Sequence, residues 1–157
     1  LTMPSIASRL GPTGHVIGID SNAAMLGRAS KRQIDVRQTL IQADAQNIDR
    51  EILIDHRVTS SPHAALFCYS LSVMPERTRA WEHVIRLMAP GARVAIADVA
   101  PPTRGGAPAR LVARTLARIG RSDIDSRPWT SLQESCTDIE HHTYAGGHVH
   151  VWAGSLP

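Results

Sequence analysis

The chain has 157 residues, 43% hydrophobic and 20% charged, which suits one globular domain with a sizeable core and not a disordered chain. A formal charge of +3 with aromatics at only 4% lacks the dense basic patch, interleaved with rings, that nucleic-acid binding wants. No apolar run reaches the roughly 20 residues of a membrane span. The first residues form no basic-then-apolar leader, and Cys68 and Cys136 sit in unrelated contexts without metal-type spacing, as expected of reduced thiols in a cytoplasmic protein.

Leu1 to Leu10 reads as the end of a helix that stops at Gly11, with Pro4 near its first turn. Gly11-Pro-Thr-Gly14 is a turn signature, and His15-Val-Ile-Gly-Ile19 is a short apolar run of the kind buried in a parallel sheet. Asp20 follows at the carboxyl end of that strand, and Ser21 or Asn22 caps a helix that begins near Ala23 and carries Met25 and Leu26. Ligands of open α/β sheets bind just outside the carboxyl ends of the strands. A carboxylate there accepts hydrogen bonds from a ribose diol, each worth about 1.5–3 kcal/mol. Capping the helix is the competing role for Asp20.

The segment Val16-Ile-Gly-Ile-Asp-Ser-Asn-Ala-Ala-Met-Leu-Gly-Arg-Ala29 resembles the second strand and following helix of the class I S-adenosylmethionine-dependent methyltransferases. The resemblance implies that Asp20 holds the cofactor ribose, with Ser21 and Met25 beside it. A dinucleotide-type fold carries its glycine-rich loop roughly 20 residues before the ribose carboxylate. That count reaches the start of this chain. The expected domain, residues 1–157, is therefore a single one without the central first strand and its Gly-x-Gly loop.

Leu40-Ile41 forms the next short strand, leading to Asp44. The resemblance gives Asp44 the adenine amino group, helped by the backbone of Ala45; read by itself, Asp44 opens an Asx turn. Residues 50–61 make a connection with one helical turn. His63-Ala-Ala-Leu-Phe-Cys-Tyr-Ser-Leu-Ser-Val-Met74 reads as a buried strand running into an active-site loop. With Pro75 and Trp81 it resembles methyltransferases acting on amines, the betaine-lipid head-group branch among them, although His63 stands where the family carries an Asp. The resemblance turns Tyr69 and Ser70 toward the reaction centre; a half-buried strand tyrosine is the alternative.

Glu76 to Met88 is an amphipathic helix with Trp81, Val84, Ile85 and Met88 on one stripe, stopped by Pro90-Gly91. Arg93-Val-Ala-Ile-Ala-Asp98 is a strand ending in a third carboxylate, with Ala92 in place of the family's second glycine. The loop from Pro101 to Gly106 is placed to close over a substrate. The helix Ala109–Ile119 carries Arg110, Arg114 and Arg118 four residues apart, either as a solvated face or for docking on anionic lipid. Thr130 or Ser131 caps one more helix. Ile139 to Trp152 closes the domain as a hairpin turning at Gly146-Gly147. There His148 and His150 alternate onto one face and approach His142. With no carboxylate or cysteine at diagnostic spacing these are surface or loop histidines, and no metal site is expected.

The expected fold is thus α/β, a Rossmann-like methyltransferase sheet of parallel strands with a C-terminal antiparallel hairpin. The resemblance implies S-adenosylmethionine as cofactor and a small-molecule or lipid head-group acceptor, an amine, and it admits a homodimer. Methyl transfer asks little beyond an in-line approach, so Tyr69 is the first candidate for positioning the acceptor and His148 the second. Two other classes stand beside it. One is a non-catalytic remnant or partner-binding module. The other is a nicotinamide-dependent oxidoreductase, which Asp20 would serve equally, although neither tyrosine has a lysine four residues on: Val73 and His148 stand there. The methyl-donor reading requires Asp20 and Asp44 to end neighbouring strands.

Overall fold

The structure, a computed structural model, describes residues 2–120 and 122–157. It divides into two compact units, one up to Thr59 and the other Ser60–Pro157.

The first unit runs α1 (Thr2–Ala7), β1 (His15–Asp20), α2 (Ala23–Ser30), β2 (Arg37–Gln42) and α3 (Arg50–Asp55). β1 and β2 pair in parallel, from His15 opposite Arg37 to Asp20 opposite Gln42. Gly18 allows that approach, because a Cβ there would meet the Leu40 side chain at 2.8 Å. Val16, Ile41, Ile48, Leu53 and Val58 are buried. The first helix ends at Ala7, four residues before Gly11, and tight turns such as Leu10 N–H to Ala7 O (3.0 Å) carry the chain on. Asn22, not Ser21, caps α2: its side chain accepts from Ala24 N–H at 2.9 Å.

The second unit contains β3 (Ala64–Cys68), a 3₁₀ turn at Leu71–Val73, α4 (Arg77–Leu87), β4 (Arg93–Val99), α5 (Gly106–Ile119), α6 (Thr130–Ser135), β5 (Thr137–Tyr144) and β6 (Val149–Ser155). Its sheet has the order β3-β4-β6-β5, parallel between β3 and β4 and antiparallel thereafter. Parallel strands followed by a C-terminal antiparallel hairpin are the architecture expected from the sequence. Along β4 every second residue is buried, Val94, Ile96 and Asp98 among them, as the two-residue period of a strand demands. Phe67 packs on Trp81 with ring centroids 5.9 Å apart, and Ala80 and Leu87 extend the buried stripe of α4. β5 is exposed along its whole length, and its charged and polar residues keep that edge from recruiting another strand.

Two expectations change. α6 is not capped by Thr130 or Ser131. Its N-cap position is Trp129, and the Thr130 hydroxyl turns back to donate to Arg127 O at 2.9 Å. The helix α5 forms, but its apolar residues do not pack: Leu111, Val112, Leu116 and Ile119 are 59–77% exposed, and Ala113 is the buried one among its described side chains. Among the described residues no helix is long and apolar enough to cross a membrane.

Candidate active site

The carboxylates of the first unit sit where the parallel pair ends. Asp20 is the last residue of β1, and Asp44 lies two residues past Gln42, its register partner on β2. The Ala43 N–H to Asp20 O bond (3.3 Å) continues the pairing into this loop. Asp20 and Asp44 therefore end neighbouring strands, as the methyl-donor reading requires.

Their side chains are engaged differently. Oδ1 of Asp20 accepts from Asn22 N–H at 2.8 Å, an Asx turn that leads into α2, and Oδ2 has no partner among the described residues. The Asp44 carboxylate opens a second Asx turn with Gln46 N–H (2.9 Å), and the Gln46 amide donates to both its oxygens at 3.0 and 2.9 Å. The N–H of Ala45 between them carries no backbone bond among the described residues. Ser21 and Met25 are exposed beside Asp20, and the Ser21 carbonyl accepts from Gln42 Nε2 at 3.4 Å.

In the second unit the corresponding strand tips are Tyr69, just past β3, and Ala100, just past β4; His148 directly precedes β6 at the same end of the sheet. Tyr69 N–H donates to Ala97 O at 2.7 Å while its backbone adopts φ of 51°, and half of its surface is exposed. A positive φ is uncommon outside glycine and costs on the order of 1–3 kcal/mol, strain that clusters at functional sites. Ser70 is half-buried, and its carbonyl accepts from Val73 N–H at 3.3 Å. His148 Nδ1 lies 2.6 Å from Ala100 O. A carbonyl can only accept, so Nδ1 carries the proton and Nε2 of the neutral ring is the lone-pair acceptor.

Asp98 is a site residue to which the sequence assigned no task. It is fully buried, its Oδ2 accepting from Ser72 N–H (3.1 Å) and its Oδ1 from Val99 N–H (2.9 Å). It thereby holds the 3₁₀ turn that follows Tyr69 and Ser70. Ser72 is held again through Ser122 (hydroxyls 2.9 Å apart) and through Asp123 N–H, which donates to Ser72 O at 2.7 Å. An acid placed in phase with Val94 and Ile96 was the available signal.

The histidines of the hairpin pair otherwise than expected. His142 lies opposite Val151, whereas His141 faces Trp152, and its Nε2 lies 3.0 Å from Nδ1 of His150. Rings of His141 and Trp152 stack at 3.9 Å, and Trp129 stacks on His150 at 4.7 Å. Burial in this stack, with the charges of His150 and His142 adding to it, lowers the pKa of His141. Burial likewise lowers that of His15, with Arg37 contributing. Burial raises the Cys136 thiol against the opposing pull of Arg93. Among the described residues no three His, Cys, Asp or Glu side chains converge as a metal site.

Comparison with known proteins bears on the fold. No family model matches the chain. An arsenite methyltransferase of Halobacterium salinarum is 31% identical over 96 residues, 59% of this chain but 23% of that protein, so the chain spans about a quarter of its relative's length. The N-methyltransferase NodS from Bradyrhizobium japonicum superposes with a TM-score of 0.58 at 15% identity, covering 91% of this chain and 74% of the other. A methyltransferase structure from Methanosarcina mazei, described as S-adenosylmethionine-dependent, gives 0.60 at 13% identity, covering 97% and 85%. The chain shares the fold of these methyltransferases.

Proposed function

We propose that the chain serves S-adenosylmethionine-dependent methyl transfer to a small-molecule or lipid head-group acceptor, an amine. The observation that carries the reading is the pair of carboxylates ending two neighbouring parallel strands, one of them with an oxygen still open to accept. That set of acceptors fits the hydroxyl and amino donors of an adenosine. Asp20 Oδ2 would take a ribose hydroxyl, with Ser21 and Met25 flanking it. Asp44 and the N–H of Ala45 would meet the adenine edge once the Gln46 amide yields its place. When bound, S-adenosylmethionine supplies a methyl group on a sulfonium, which leaves as a neutral thioether.

The chain's own part is to position the acceptor. Tyr69, fixed by its bond to Ala97, offers a hydroxyl and a ring face to an amine, and Ser70 lies beside it. His148 offers Nε2 as the acceptor of the proton that an ammonium must lose before its lone pair can attack. The name of the Bradyrhizobium neighbour, an N-methyltransferase, supports an amine. Arsenite, the substrate in the name of the haloarchaeal relative, is less well matched, because soft ions want converging thiolates. Cys68 ends β3 opposite Ala97, whereas Cys136 precedes Thr137, whose partner Ser155 pairs with Arg93 at the other end of β4.

Calorimetry with S-adenosylhomocysteine tests the reading. Micromolar binding is expected, weakened about tenfold or more in Asp20→Asn, as the loss of one charge-assisted hydrogen bond implies. Equal affinity in Asp20→Asn overturns the assignment. Tighter binding of a nicotinamide dinucleotide would move the chain to the oxidoreductases, and binding of neither ligand by folded chain would make it a non-catalytic module.

A further inference from the structure

We infer that the cleft between α5 and the loop after β4 is the acceptor subsite, and that it holds the apolar body and anionic group of an amphiphilic amine, one carboxylate or phosphate carried beside the amine. The assignment rests on the methyl-transfer reading for its purpose, though not for its chemistry. The cleft is shallow and open to solvent, with a volume of about 470 Å³. Pro108, Val112 and Leu116 form one wall, spaced one helical turn apart along α5, and His148 also lines the cleft. Val112 and Leu116 are 59% and 63% exposed, so apolar surface here stands in water until something covers it.

The charge of the cleft selects the covering molecule. Its lining includes Arg104 and no carboxylate. The Arg104 N–H is fixed to Gly146 O at 3.1 Å, while its guanidinium has no partner among the described residues. An unpaired guanidinium beside an apolar wall favours a carboxylate or phosphate, which it can grip with two parallel hydrogen bonds.

The cleft is also stiff on the side that carries this charge. Gly146 O accepts from Thr103 N–H, Arg104 N–H and the Thr103 hydroxyl, all at 3.1 Å. His148 and Ala100 exchange two bonds, Ala100 N–H to His148 O at 2.9 Å and His148 Nδ1–H to Ala100 O at 2.6 Å. The loop after β4 and the turn before β6 are thereby one fixed surface, and a fixed surface spends little binding energy on ordering itself.

An anionic membrane is a weaker match for the same helix. Arg110 is turned to Pro102 O (3.4 Å) and Arg114 to the Asp125 carboxylate (3.2 Å), so two of the three arginines of α5 are already engaged. A single molecule needs only Arg104.

The experiment is calorimetry of the whole chain with decanoate, decanol and decyltrimethylammonium as probes, each below its micelle concentration, alongside S-adenosylhomocysteine. Decanoate is expected to bind about tenfold more tightly than the other two, a difference of about 1.4 kcal/mol. Arg104→Gln should remove that preference, and Leu116→Asn, at an exposed position, should weaken all three probes alike. Equal binding of the three by the unaltered chain, or binding of none, overturns the proposal. So does capture by phosphatidylglycerol vesicles that survives Arg104→Gln without decanoate binding. If decanoate binds selectively and S-adenosylhomocysteine does not bind, the cleft stands and the methyl-transfer reading falls; the reverse result removes the cleft alone.

Discussion

Asp98 offers the sharpest test of how the second unit is held together. The residue is 0% exposed, and its two oxygens satisfy the N–H groups of Ser72 and Val99 at 3.1 and 2.9 Å. Asp98→Ala leaves the Ser72 N–H buried without a partner, at about 1–3 kcal/mol, while the part-buried Val99 N–H regains some water and costs less. Removing a carboxylate from the interior returns part of the loss. The net expectation is a destabilisation of about 1–3 kcal/mol for Asp98→Ala and about half of that for Asp98→Asn, which keeps one acceptor oxygen. All three tryptophans, Trp81, Trp129 and Trp152, lie in this unit, so tryptophan fluorescence in a urea titration follows it selectively. Hydrogen exchange supplies the local readout: the amides of Ser72 and Asp123 should lose protection together, since Asp123 N–H is bound to Ser72 O. A change within about 0.5 kcal/mol in Asp98→Ala, the range of ordinary surface substitutions, with Ser72 still protected would refute the reasoning.

Two glycines of positive φ should respond differently to alanine. Gly91, φ of 72°, has open space around its missing Cβ, so Gly91→Ala should lose about 1 kcal/mol from backbone strain alone. Gly147, φ of 80°, would drive a Cβ into Thr103, so Gly147→Ala should lose clearly more in the same urea titration and weaken decanoate binding with it. His141 gives a pH dependence. Its folded pKa is lowered below the usual 6.5, so its contribution is complete above about pH 6.5 and is lost as the pH falls through the folded value. Fluorescence-monitored stability should therefore drop on acidification below pH 6.5, less steeply in His141→Asn; an unchanged profile in that variant would remove His141 from the account.

The elements that the sequence revealed are those specified locally. β1 is a short apolar run closed by an acid, β4 is another that runs one residue past its acid to Val99, and α4 repeats its apolar residues at the helical period. The hairpin turn was visible because a Gly-Gly pair supplies the positive φ that Gly146 and Gly147 adopt. The histidine pairing was not visible, because it depends on register. Tyr144 lies opposite Val149 across a four-residue turn, which puts Thr143 opposite His150 and His141 opposite Trp152. Sliding that register by one residue would exchange the faces of the strand and bring His142 to the stack instead. Periodicity likewise predicted α5 as a helix with an apolar face, yet whether such a face is buried is decided by what the rest of the chain lays against it.

The three acids at strand tips show most clearly where sequence reading reaches its end. In the sequence Asp20, Asp44 and Asp98 carry one signal, a carboxylate just after a β-rich run. In the structure they differ in how much hydrogen-bonding capacity remains. Asp98 has given both oxygens to backbone N–H groups and is sealed from solvent, so it organises a turn and can bind nothing. Asp44 has both oxygens on the Gln46 amide, a partner that a better donor can displace. Asp20 keeps one oxygen in its Asx turn and one open. A carboxylate recognises a ligand with the acceptor sites its own fold leaves unused, and those are set by neighbours such as Ser72, 26 residues from Asp98. Of the three, Asp20 is the one whose substitution should be felt first if the proposed adenosine site is right.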